Sequence, residues 1–66
     1  MVGRQGRVTG TVGPGLVGEV VIAIRGGSEA FLAYPAVAGE RIPTGAVVVV
    51  QEYHPPRTVY VAQVYS

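Results

Sequence analysis

The run Gly18-Glu19-Val20-Val21-Ile22-Ala23-Ile24-Arg25 sets the strongest constraint on this chain. Val20, Ile22 and Ile24 recur at every second position, which is the period of a half-buried β-strand, and β-branched side chains favour that conformation. The six residues that end at Gly18 read Gly13-Pro14-Gly15-Leu16-Val17-Gly18, a literal G-x-G-x-x-G. That pattern marks a dinucleotide-binding turn only when a helix follows, because the helix N-terminus holds the pyrophosphate. A strand follows here. No acidic residue follows on a second strand end at the expected offset of about 20 residues, and no Lys-Ser/Thr pair completes a P-loop. The glycines therefore read as the connection between two strands at a barrel corner. Pro14-Gly15 suits the two central positions of a type II turn.

The rest of the chain has the same texture. No segment carries apolar residues at helical spacing over a useful length, and ten glycines and five prolines interrupt short β-branched runs. Strands are expected over residues 6–12, 18–25, 28–34, 46–53 and 58–65. Gly26-Gly27 reads as a tight hairpin turn. Residues 35–45 form a long loop. His54-Pro55-Pro56-Arg57 is a turn, since two prolines cannot donate to a ladder. Five short apolar strands leave aggregation-prone edges unless the sheet closes on itself. The expected fold is thus all-β, a small five-stranded barrel of the OB type, with the related SH3-like barrel as its neighbour. Val8, Val20, Ile22, Ile24, Phe31, Ala33, Val48, Val50, Val59 and Val61 are the expected core, and Ile42 is expected to plug one end of the barrel.

Composition narrows function. Sixty-six residues make one small domain whose core is aliphatic, with no cysteine for a disulfide or thiolate metal site. Lysine is absent, and five arginines against four glutamates leave a net charge of +1. A protein that relies on phosphate contacts carries a larger basic excess, so nucleic acid is not the expected partner. No apolar run is long enough to span a membrane as a helix.

Candidates for chemistry are few. His54 is the only histidine, has no partner at metal-ligand spacing, and reads as a solvated turn residue. Glu29, Glu40 and Glu52 fall on different elements with no neighbouring nucleophile. Ser28 reads as a hairpin residue with no base nearby. No catalytic, cofactor-binding or metal-binding residue is expected. The four tyrosines Tyr34, Tyr53, Tyr60 and Tyr65 are the candidate interaction surface. Tyr60 lies between the inward-facing Val59 and Val61 and should point outward, with Tyr53 and Tyr65 near strand ends. They could stack on single-stranded nucleic acid, as OB folds do, or cover an outer wall that packs against a protein partner.

The spacing of short motifs along nearly the whole chain resembles the C-terminal soluble domain of the NfeD-like membrane proteins. Gly3-Arg4-Gln5-Gly6-Arg7-Val8 is similar to its opening Gly-x-x-Gly-x-Val. Pro14 and then Gly18-Glu19-Val20-Val21-Ile22 match its proline and following strand. Gly27 and Phe31-Leu32-Ala33 match the hairpin and aromatic-x-Ala. Ile42-Pro43-Thr44-Gly45 leads into alternating valines at Val48 and Val50, and Val59-Tyr60-Val61 closes the domain. The resemblance implies an OB-fold barrel without enzymatic activity or cofactor, part of a longer membrane-anchored protein whose membrane segments lie outside this chain. It implies a cytoplasmic-side domain and a partner of the SPFH type, a stomatin- or flotillin-like scaffold, in membrane organisation or quality control. It leaves self-association open. The alternative is an OB-type oligonucleotide- or oligosaccharide-binding domain, which requires two or three exposed aromatics, flanked by arginines, on the face of the second and third strands.

Overall fold

The computed structural model describes residues 1–65 and is all-β. Its five strands are β1 (Gln5–Gly10), β2 (Gly18–Ile24), β3 (Gly27–Pro35), β4 (Val47–His54) and β5 (Thr58–Gln63). They close into a barrel in the order β1-β2-β3-β5-β4. All neighbours are antiparallel except β3 and β5, which run parallel over Leu32–Pro35 and Thr58–Val61. Closure comes from a short antiparallel pairing of Gln5–Arg7 with Val47–Val49. This is a small OB-fold-type barrel.

Alternation explains the core. Val8, Val20, Ile22, Phe31, Ala33, Val48, Val50, Val59 and Val61 point inward and are buried, and no polar or charged residue is buried with them. Ile42 is fully buried although it lies in a loop. Its N–H donates to the Val12 carbonyl at 2.7 Å, and Val12 N–H donates back to the Ile42 carbonyl at 3.0 Å. This isolated bridge seats both side chains in the core.

Four expectations need correction. The first strand ends at Gly10 rather than at 12, and Val12 joins the core through the bridge to Ile42. Ile24 is only partly buried: it sits at the mouth of the hairpin, and its cross-strand partner is Gly27, which has no side chain to cover it. The hairpin turn is Arg25-Gly26, not Gly26-Gly27. Ile24 pairs with Gly27, and of the two turn residues only Gly26 has positive φ, at 78°. The fifth strand ends at Gln63 instead of 65.

Gly13-Pro14-Gly15-Leu16 is the expected type II turn. Leu16 N–H donates to the Gly13 carbonyl at 3.1 Å, and Gly15 takes a φ of 70° that a side chain resists. Two bulges also shape the wall. The β1–β2 register shifts between Val8 and Gly10, and the β4–β5 register shifts between Val50 and Glu52, where Gln51 is the extra residue.

Candidate interaction surface

The bulge at Gln51 decides which aromatic groups reach the outer wall. Before it, Val48 and Val50 face inward. After it, the parity changes: Glu52 pairs with outward Tyr60, and Tyr53 pairs with inward Val59. Tyr53 therefore turns toward the core. Its ring meets Phe31 edge-on, with centroids 6.3 Å apart at 82°, and its hydroxyl donates to the Pro56 carbonyl at 3.2 Å. Tyr60 lies outward, as its place between Val59 and Val61 requires.

The parallel β3–β5 pairing sets Tyr34 directly beside Tyr60. Their ring centroids are 5.7 Å apart at 35°. The His54 ring meets Tyr60 edge-on at 5.1 Å. His54 Nε2 lies 2.7 Å from Glu52 Oε1, with both side chains largely exposed. Outward Leu32, one step along β3, is 45% exposed. The wall of β3, β5 and β4 thus carries one contiguous group: Leu32, Tyr34, Tyr60, His54 and Glu52. Each tyrosine is half-buried by its neighbours.

Of the four tyrosines singled out in the sequence, the structure brings Tyr34 and Tyr60 together. Tyr53 belongs to the packing beneath them. Tyr65 follows the end of β5, is 76% exposed, and makes no ring contact among the described residues. His54 is solvated, as expected, but it is the last residue of β4 rather than part of the turn. Its pairing with Glu52 had a visible signal: residues two apart on a strand share a face.

The outer face of β2 and β3 is different. Its cross-strand pairs are Glu19 with Leu32, Val21 with Ala30 and Ala23 with Ser28. Its one aromatic ring among the described residues is Tyr34, on β3 just beyond the end of the β2 pairing. Glu19 Oε1 accepts from the Thr9 hydroxyl at 2.7 Å, and the Arg57 guanidinium donates to the Ala30 carbonyl at 3.0 Å. Around the barrel on the β1 side, an open depression of about 350 Å³ lies among Gly6, Val21, Ala23 and Val47, with Gln5, Arg7 and Ser28 completing its lining. Among the described residues, no three His, Cys, Asp or Glu side chains gather as a metal site would need.

A closed five-stranded barrel of OB type, with a parallel β3–β5 contact and an aromatic group on its outer wall, is the class of module this chain forms. The NfeD C-terminal domain family model matches residues 5–62, nearly the whole chain, and the chain belongs to that family. It is therefore a domain of an NfeD-like protein. No curated protein and no solved structure matches the chain. Membership points to a membrane protein and to a family not known for enzymes. Among the described residues, no helix is long and apolar enough to cross a membrane.

Proposed function

We propose that this domain is a non-catalytic protein-docking module of an NfeD-like membrane protein, placed on the cytoplasmic side, with an SPFH scaffold of the stomatin or flotillin type as its partner. The observation that carries the reading is the Tyr34–Tyr60 pair on the outer wall, flanked by exposed Leu32 and by the His54–Glu52 pair. Aromatic side chains that offer a wide apolar body and a polar tip are the usual anchors of protein interfaces. A polar rim of histidine and glutamate beside them suits such an interface. Partner class and cytoplasmic placement follow from the family resemblance.

The oligonucleotide- or oligosaccharide-binding alternative finds less support. It needs two or three rings on the β2–β3 face flanked by arginines, and among the described residues that face carries Glu19, Val21, Ala23, Ser28, Ala30 and Leu32 with Tyr34 as its single ring. The net charge of +1 offers little phosphate affinity.

Affinity capture and crosslinking of the full-length protein with an SPFH-type protein of the same cell tests the proposal. A specific crosslinked complex is expected. Absence of any complex, for both the domain and the full-length protein, would remove the partner assignment.

A further inference from the structure

Three of the five arginines lie together on the wall opposite in character to the tyrosine pair. Outward positions alternate along β1, so Gln5 and Arg7 face solvent while Val8 faces the core. Cross-strand pairing places Arg7 between Val47 of β4 and Val21 of β2. Arg4, just before β1, reaches across to donate to the Ala23 carbonyl at 3.3 Å. Arg25 occupies the hairpin turn immediately beyond the Ala23–Ser28 pair. Arg7 lines the depression described above, and the small side chains of Ala23 and Ser28 leave room in it.

These arginines have no carboxylate partner within 4 Å among the described residues. The ion pairs are His54 with Glu52 and Arg57 with Glu29. Arg4 and Arg7 donate only to backbone carbonyls, Ala23 at 3.3 Å and Gly45 at 3.2 Å. One glutamate, Glu19, shares the β1–β2 wall with them, beyond Val21 from the hollow. Glu19 is bonded to Thr9, Glu29 lies against Arg57, and Glu52 is beside His54. One arginine, Arg7, lines the hollow; Arg4 is bonded to the Ala23 carbonyl at its border, and Arg25 lies in the adjoining turn.

We propose that this β1–β2 wall is a second docking site, which takes an acidic linear segment of a partner protein and seats one of its aliphatic side chains in the hollow. Charge complementarity selects the occupant. Guanidinium groups pair with carboxylates through several N–H donors at once, and the exposed guanidinium groups of Arg4, Arg7 and Arg25 suit such a ligand. The apolar floor of Val21, Ala23 and Val47 favours a peptide over a bare anion. Three arginines without any lysine are too few for a nucleic-acid track. The site stands apart from the tyrosine wall and does not depend on it.

The test uses the 66-residue chain and a fluorescein-labelled peptide, Glu-Glu-Leu-Glu-Glu, with Lys-Lys-Leu-Lys-Lys and Glu-Glu-Ser-Glu-Glu as controls, followed by amide shift mapping. The acidic leucine peptide is expected to bind with a salt-sensitive affinity, and the serine control more weakly. Shifts are expected to map to residues 4–7, 21–28 and 45–47. Arg7→Glu should weaken binding by about tenfold or more. Arg4→Glu, at an exposed position before β1, provides the same reading if Arg7→Glu disturbs the barrel. Tyr34→Ala should leave this binding unchanged, which separates the site from the proposed scaffold-docking wall. No binding of the acidic peptide, equal binding of the lysine peptide, or shifts centred on Tyr34 and Tyr60 would each overturn the proposal. So would binding to anionic phosphatidylglycerol vesicles without binding to the peptide.

Discussion

A methyl group added at Gly18 would lie 2.6 Å from Val12 Cγ2, 2.9 Å from Val12 Cα and 3.0 Å from the Ala33 carbonyl oxygen. Gly18 is thus the place where the chain leaving β1 crosses close to β2. The glycine-rich motif divides by residue. Gly15 is needed for its φ of 70°, Gly18 for that close approach, and Gly13 for neither. A Cβ at Gly13 would meet the flexible Arg41 side chain at an ordinary 3.4 Å. Gly18→Ala should destabilise the barrel by about 1–3 kcal/mol through overpacking. Gly15→Ala should cost about 1–2 kcal/mol from the left-handed backbone, and Gly13→Ala should be close to neutral. Thermal unfolding of the three variants checks this order. A dinucleotide titration monitored by amide shifts should produce no response at Gly13, Gly15 or Gly18. Saturable shifts there would contradict the corner reading. The same contact explains why Val12 escaped the sequence. Its neighbours Thr11 and Gly13 give no alternation, and its burial depends on a bridge to a loop thirty residues away (Val12 to Ile42).

At the scale of the element, period-two alternation was legible wherever a strand stayed regular. It placed the inward residues of β2, β3 and β5, and Val48 and Val50 of β4. It failed at three kinds of place. Ile24 keeps the pattern but lies at the hairpin mouth opposite Gly27. Tyr53 breaks the pattern because Gln51 bulges, and no residue type near it announces a bulge. Tyr34 and Tyr60 were each legible as tyrosines on strands, but their contact depends on parallel pairing across the barrel. Burial then separates two isoleucines that look alike in the sequence. Ile42→Ala should cost about 2–5 kcal/mol, as expected for a fully buried side chain. Ile24→Ala should cost about half of that or less, since part of its surface is already in water. Denaturant unfolding of both variants, with unchanged slope, measures the difference.

At the scale of the whole molecule the strands close into a ring, although residues 27–31 of β3 pair only with β2 and residues 52–54 of β4 pair only with β5. Closure itself was legible from apolar strands that needed covering. The strand order was not, because the β3–β5 and β1–β4 contacts join segments far apart in the chain. The walls that result are chemically unlike. One carries Tyr34, Tyr60, His54 and Glu52, and the other carries Arg4, Arg7 and the apolar hollow. Each wall is proposed as a docking face, the tyrosine wall for the scaffold. Tyr60→Ala should leave the barrel folded, since the ring lies outside the core, while Tyr53→Ala should destabilise it by about 3 kcal/mol by removing a ring packed on Phe31. Circular dichroism of the two variants distinguishes them. The most direct measurement is site-specific photo-crosslinking of the full-length protein in its native membrane, with the photoreactive amino acid at position 60 and, separately, at position 23 of the opposite wall. The tyrosine-wall account predicts a crosslink to an SPFH-type protein from position 60 and none to that protein from position 23. A crosslink to it from position 23 alone, or from neither position, would contradict the account.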